Sequence, residues 1–254
     1  DFEDFREYQP GDEVRTIDWN VTARLGTPFV KKFVEERELT VYICVDLSAS
    51  GNYGSENLSK REVMAEVAAL LAFSALQNKD KVALILFTDE VELYLPPKKE
   101  TAHALRIVRE ILFREPQGKK STLNTATHIL KNAVRKRSLV FMLSDFQLDG
   151  AIDKDLKTIS RQHDFVAVQV SDPAERKLPN AGRVCLSDPE TGEQVIVNTN
   201  SAKVRKVYSV AVKAWQEQLE QQLRKLAIDH IHLSSSEDYL PALHHFFKAR
   251  AGAR

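Results

Sequence analysis

The sequence predicts an α/β domain with a mostly parallel central sheet, helices on both faces and one antiparallel edge strand. Three observations predict it. From residue 39 onward, short apolar runs alternate with helical stretches, the pattern of β–α–β units. Those runs are near-continuous in Val, Ile, Leu and Phe, as strands covered on both faces must be. Val91–Leu95 follows the run Lys81–Phe87 after only three residues, too few for a crossover, so that pair is expected to be antiparallel.

In chain order, residues 1–38 form a charge-dense N-terminal extension broken by turn signals at Pro10-Gly11-Asp12, Gly26 and Pro28. Phe29–Val34 reads as an edge strand. Arg15-Thr16-Ile17-Asp18-Trp19-Asn20 carries a tryptophan among charges, read first as a buried anchor and second as a docking surface. The main domain is expected over residues 39–254. Its strands are Leu39–Val45, Lys81–Phe87, Ser138–Leu143, Asp164–Val170 and Ile228–Leu233, besides the antiparallel Val91–Leu95. Helices are expected at Ser59–Gln77, Thr101–Phe113, Leu123–Lys136, Ala151–Gln162 and Ala202–Ala227. The first of these carries Val63, Met64, Val67, Ala68, Leu70, Leu71 and Phe73. It is apolar around most of its circumference and should pack deeply. Asp188-Pro189-Glu190-Thr191-Gly192 is a turn between two short strand-like pieces, a small hairpin near 183–198.

Composition narrows the function classes. The 254 residues are 43% hydrophobic, enough for a substantial core, and 36 basic residues balance 36 acidic ones. No global field therefore recruits nucleic acid or anionic lipid. The cysteines, Cys44 and Cys185, lie far apart with Cys44 inside an apolar strand, which argues for a reducing, cytoplasmic setting. No apolar run reaches membrane-span length, and no signal peptide is visible. The chain starts at Asp1, without methionine and inside a charged segment. A longer protein upstream is expected, so an absent leader or anchor carries no weight.

The sharpest chemical signal is Asp46-Leu47-Ser48-Ala49-Ser50, placed where a buried strand emerges into a loop. In an extended backbone, residues i, i+2 and i+4 point the same way, so Asp46, Ser48 and Ser50 can converge. A carboxylate and two hydroxyls are hard oxygen donors, suited to Mg²⁺, Mn²⁺ or Ca²⁺ and poorly suited to Zn²⁺. In an open α/β sheet, ligands sit at the carboxyl ends of strands. Asp145 follows the strand ending at Leu143, on the same rim. The loop Gly118-Lys119-Lys120-Ser121-Thr122 brings hydroxyls to the start of a helix. Taken singly, Asp145 and Ser121 read first as turn and N-cap residues; taken together with Asp46, Ser48 and Ser50, they read as a metal site.

Asp-x-Ser-x-Ser, a later Ser/Thr loop and a strand-end Asp together resemble the metal-ion-dependent adhesion site of Rossmann-like von Willebrand factor A domains. Phe5-Arg6-Glu7-Tyr8-Gln9-Pro10-Gly11-Asp12-Glu13-Val14-Arg15-Thr16-Ile17-Asp18-Trp19 resembles the signature of the bacterial domain-of-unknown-function family 58. So do Ala23-Arg24, Glu36-Arg37-Glu38-Leu39, Leu143-Ser144-Asp145-Phe146, His163-Asp164 and Leu186-Ser187-Asp188-Pro189-Glu190-Thr191-Gly192. The resemblance covers nearly the whole chain. It implies a von Willebrand A-like domain and a non-catalytic, metal-dependent protein-interaction module that leaves one coordination position for a partner's carboxylate. Asp46, Ser48 and Ser50 match the first metal motif, and Asp145 the last. Ser121 stands where threonine is usual, with Thr122 the rival one residue on. The resemblance also implies partnership with a MoxR-type AAA+ ATPase in assembling or activating other proteins.

Two other function classes compete. A metal-dependent hydrolase would use the same Asp-rich rim. Aspartyl phosphotransfer lacks its second acid, because Ser48 stands two residues after Asp46. A phosphate-binding loop fails at Phe113, where glycine is required, and at Lys120, which separates Lys119 from a hydroxyl residue. His230 and His232 share one strand face as a metal pair would, yet no third ligand accompanies them at usable spacing, so core or rim histidines are expected. Nucleic-acid binding is the weakest reading: Lys98-Lys99, Arg135-Lys136-Arg137 and Lys203/Arg205/Lys206 have little aromatic company.

Overall fold

The computed structural model describes residues 2–33, 38–56, 58–147 and 154–252. Its contacts divide the chain into two units, residues 1–38 and 39–254.

In the first unit, β1 (Phe2–Glu7) pairs antiparallel with β2 (Phe29–Phe33), and α1 (Trp19–Leu25) lies between them in sequence. Asp12 closes the turn after β1, accepting from Gln9 N at 2.9 Å and Arg6 at 2.6 Å. Asp18 caps α1 by accepting from the Asn20 and Val21 amides, and Gly26 ends it at φ 79°. The strand at Phe29 was legible, although its expected last residue, Val34, lies outside the described residues. Trp19 is 66% exposed, and seven-residue α1 buries none of its residues.

The second unit is a six-stranded sheet of order β10-β7-β6-β3-β4-β5. In chain order its elements begin β3 (Thr40–Asp46), α2 (Lys60–Gln77), β4 (Lys81–Phe87) and β5 (Val91–Lys98). There follow α3 (Thr101–Phe113), α4 (Leu123–Ala133), β6 (Leu139–Ser144), α5 (Lys154–Gln162), β7 (Asp164–Ser171) and the short α6 (Pro173–Arg176). The chain then runs through a hairpin, β8 (Arg183–Ser187) with β9 (Gln194–Asn198), then α7 (Ala202–Lys225), β10 (Asp229–Ser234) and α8 (Leu240–Gly252). All neighbours in the sheet are parallel except β4 and β5, as their three-residue connection requires. The fold is thus α/β with helices on both faces.

Alternation along β3 splits the core in two. Val41, Ile43 and Val45 pack with α2, α3 and α8, while Tyr42 and Cys44 pack with α4, α5 and α7. Ser59 and Glu62 form a capping box at the start of α2. That helix buries Val63, Met64, Val67, Ala68 and Leu71, but Leu70 is 40% exposed, so the packed stripe is narrower than the composition implied.

Two helices stop short of expectation. Helix α4 ends at Ala133 rather than Lys136, because Val134 turns extended (φ −106°, ψ 101°) and buries its side chain. Helix α7 ends at Lys225, where Ala227 takes a left-handed conformation (φ 54°) and the Ile228 amide bonds back to Leu223 O. The first residues expected for the helix at 151–162 lie outside the described residues, and α5 begins at Lys154.

Candidate functional site

The sheet order places β3 between β4 and β6: the chain leaves β3 through α2 for β4 on one side and returns through α4 to β6 on the other, which opens a crevice at the carboxyl end of β3. Val45 is in register with Leu143, which brings Asp46 and Ser144 off the sheet at one level.

Asp46 is 3% exposed and accepts three hydrogen bonds. Oδ1 takes the Ser48 amide at 2.9 Å; Oδ2 takes Ser144 Oγ at 2.8 Å and Ser121 Oγ at 2.5 Å. Every one of those donors is neutral. Burial, then the charge of Asp145, holds the Asp46 carboxyl above its ordinary range despite them. The hydroxyls of Ser48 and Ser50 lie 3.1 Å apart. They do not converge along an extended ladder, as the i, i+2, i+4 reading expected. The Asp46–Ser48 bond turns the chain, and Ser50 sits in a 3-10 turn spanning Ala49–Asn52.

Asp145 is 4% exposed and differs from Asp46 in having a cation. Its Oδ2 accepts from Lys60 Nζ at 2.7 Å and its Oδ1 from the Gln147 amide at 3.0 Å. Lys60 is fully buried and also donates to Glu175 Oε1 at 2.6 Å. Burial alone would lower its pKa, but the two carboxylates outweigh that and raise it, so the ammonium stays charged. The next residue, Phe146, is buried at φ 57°, a left-handed conformation costly for a bulky side chain. Its amide is held by Ser144 Oγ at 3.0 Å.

The loop carrying Ser121 is fixed from below. Buried Glu92 accepts at 2.9 Å from Thr88 Oγ1 and from the amides of Gln117 and Gly118. Gly118 is required by close approach: a Cβ there would lie 2.2 Å from Thr88 Oγ1. The Lys119 carbonyl accepts the Ala49 amide at 3.1 Å, tying this loop to the one after β3. Ser121 rather than Thr122 reaches Asp46. Thr122 takes the N-cap of α4 without a side-chain capping bond.

Asp46, Ser48, Ser50 and Asp145 therefore line one small cleft with Lys60, and Ser121 reaches it through Asp46. Beside the cleft opens a cavity of about 520 Å³, whose walls include Ser50, Asp145, Arg176, Glu190, Tyr208 and Trp215. Among the described residues, no group of three or more His, Cys, Asp or Glu could by itself hold a metal ion. The donor set is thus a buried carboxylate without a cation, three hydroxyls, and a second carboxylate already paired to lysine. Its oxygens fit a hard divalent ion, whose charge Asp46 lacks.

Sequence reasoning missed three contributors. Lys60 gave no signal, since a lysine in the first turn of a helix reads as solvated. Glu92 sits in an edge strand among apolar residues, an available but weak hint of a buried acid. Glu190 was read only as part of a turn, yet its Oε2 accepts the Ser121 amide at 3.4 Å. Burial, then the charges of Asp46 and Asp145, push its carboxyl up to about 6. His230 and His232 are half-buried: His230 meets Gln169, and His232 meets Ser171 and Arg176.

The sequence profile of the family described as "Protein of unknown function DUF58" matches residues 4–218. The chain belongs to the DUF58 family. An uncharacterized protein of Mycobacterium tuberculosis is 28% identical over 249 residues, spanning 96% of this DUF58 chain and 78% of its own length. Among solved structures, the conserved hypothetical protein BatB from Bacteroides thetaiotaomicron superimposes with a TM-score of 0.56 at 14% identity. It covers 85% of this chain and 98% of BatB, a likeness of fold. The VWA domain of SpRpn10 overlaps 53% of this chain and 76% of its own, at 10% identity and a TM-score of 0.40.

Proposed function

We propose that this DUF58 protein is a non-catalytic protein-interaction module that works through a metal-ion-dependent adhesion site of the von Willebrand A type. The observation that carries the reading is Asp46: a buried carboxylate held, among the described residues, only by neutral donors, beside the hydroxyls of Ser48, Ser50 and Ser121. Leaving such a charge without a cation is costly, and a divalent ion, Mg²⁺ above all and Mn²⁺ or Ca²⁺ by the same chemistry, relieves that cost. When bound, the ion supplies a Lewis-acidic position for an acidic oxygen. Asp46 provides the charge, the three hydroxyls provide neutral oxygens, and the Lys60 bond keeps Asp145 oriented and partly neutralised. An ion held with one carboxylate that no other cation shares is under-neutralised, which favours an acidic side chain from outside.

The proposed partner is a MoxR-type AAA+ ATPase or its client, which rests on the family resemblance; the proposed cytoplasmic setting rests on the two distant cysteines. Among the described residues, no helix is long and apolar enough to cross a membrane.

Calorimetric titration of Mg²⁺ and then Mn²⁺ into metal-free protein tests the site. Saturable binding is expected in the wild type and its loss in Asp46→Ala, with the circular dichroism spectrum retained. A wild type that takes up neither ion would sink the reading. Turnover of generic phosphate or ester substrates with the ion present would favour the hydrolase instead.

A further inference from the structure

The β8–β9 hairpin is exposed along most of its length, with Val184, Val197 and the tip residue Glu190 half-buried. Arg183, Cys185, Leu186 and Ser187 on one strand, and Val195 and Ile196 on the other, face solvent. At the tip, Asp188, Pro189, Thr191 and Gly192 are exposed too, and Glu190 between them is half-buried.

The tip is a rigid mount. Asp188 accepts from the Glu190 amide at 2.9 Å and from Thr191 Oγ1 at 2.6 Å, and its carbonyl accepts the Gly192 amide at 2.8 Å. Gly192 closes the turn at φ 76°, a conformation that glycine adopts freely. The base is equally fixed. Buried Thr199 donates through Oγ1 to the Gly182 carbonyl at 2.8 Å and accepts the Ala181 amide at 3.0 Å. Two anchored ends joined by solvated strands hold out one carboxylate, and that carboxylate meets the backbone amide of Ser121, whose hydroxyl bonds Asp46.

A third carboxylate beside Asp46 and Asp145 is unfavourable, and the buried cation of the cleft, Lys60, is already shared between Asp145 and Glu175. One long amide bond does not offset that repulsion. A divalent ion does.

We infer that Glu190 is an outward ligand of the ion supplied in cis, so that the hairpin occupies the position a partner's acidic side chain would take. The inference rests on the metal-site reading above and adds its regulation: a partner must displace Glu190, and the hairpin is a tethered competitor. Its tether raises the local concentration of the competing carboxylate, which sets a threshold that only a well-matched acidic partner passes.

Mn²⁺ is the probe, because water-proton relaxation counts the exchangeable waters on the bound ion. Replacing Glu190 frees a coordination position for water. In Glu190→Gln, and in Glu190→Ala as a second variant, relaxivity per bound Mn²⁺ is expected to rise. Mn²⁺ affinity is expected to fall by roughly ten- to hundred-fold. Relaxivity per bound ion equal to wild type, whatever the affinity, overturns the cis ligand and leaves the metal site standing. A wild type that binds no Mn²⁺ overturns both.

Discussion

At the residue scale, the arrangement turns on the contrast between two aspartates a strand apart. Asp46 is buried among neutral donors, whereas Asp145 shares the buried ammonium of Lys60 with Glu175. Removing one partner of a buried ionic group costs far more than the group contributes, because the remaining charges lose their compensation. Lys60→Met keeps the volume and is expected to cost about 3 kcal/mol, the low end for a buried pair because Glu175 retains some solvent. Urea unfolding measures it. If the rim binds a divalent ion, added Mg²⁺ should restore part of that loss in the variant and add less to the wild type. An Mg²⁺-independent deficit would argue that Asp145 does not face the ion. Of these residues the sequence exposed the oxygen donors, because Asp-x-Ser-x-Ser at a strand end is a spacing with chemical meaning. It did not expose Lys60, whose role depends on two carboxylates that lie 85 and 115 positions away along the chain.

At the scale of elements, local signals located the strands and failed at the C-terminal ends of two helices, α4 and α7. Lys81–Phe87 and Thr101–Phe113 carry their boundaries in their own composition, and the structure begins and ends them there. The ends of α4 and α7 are set by tertiary demands that no helical pattern contains: the burial of Val134, and the left-handed turn at Ala227 that delivers Ile228 to the core. An alanine at φ 54° carries a steric cost that glycine lacks. Ala227→Gly is therefore expected to stabilise by about 0.5–1 kcal/mol, the relief being reduced by glycine's greater freedom in the unfolded chain. A lower midpoint in thermal unfolding would show that the turn is held by its neighbours at no strain. The loop before α4 makes the opposite case. Gly118→Ala would drive a Cβ to 2.2 Å from Thr88 Oγ1 and 2.3 Å from Asp89 Oδ1. Moving the loop off Glu92 is expected to cost about 1–3 kcal/mol and, through Ser121, to weaken Mn²⁺ binding; unchanged affinity would show that Ser121 tolerates the shift.

For the whole molecule, the alternation of strand and helix made the parallel sheet legible. The order of its strands was not legible, because crossover direction leaves no mark on composition. That order has a consequence for pH. It seats β10 on the edge beside β7, where His232 is bonded to Ser171 Oγ and faces the Arg176 guanidinium of α6. Burial, then the Arg176 charge, then His230 hold His232 down at about 4, and His230, His103 and His163 are lowered as well. The unfolded chain therefore binds protons below about 6.5 that the folded chain refuses, so stability falls as pH drops from 6.5 toward 4. Glu190 acts in the other direction. Its raised carboxyl binds a proton in the folded state near pH 6 that the unfolded chain does not hold, so it withdraws stability as pH rises from about 4.5 to 6. Asp46, also raised, acts with Glu190; the four lowered histidines outnumber these two carboxylates, and a net acid loss is expected in metal-free protein. His232→Gln should remove about 1–2 kcal/mol of that loss after allowance for solvent screening. The readout is the slope of unfolding free energy against pH between 6.5 and 4, which cancels any constant cost of the lost hydrogen bonds. A variant with the wild-type slope would mean that His232 takes up its proton in the folded state, with Arg176 moving aside to let it.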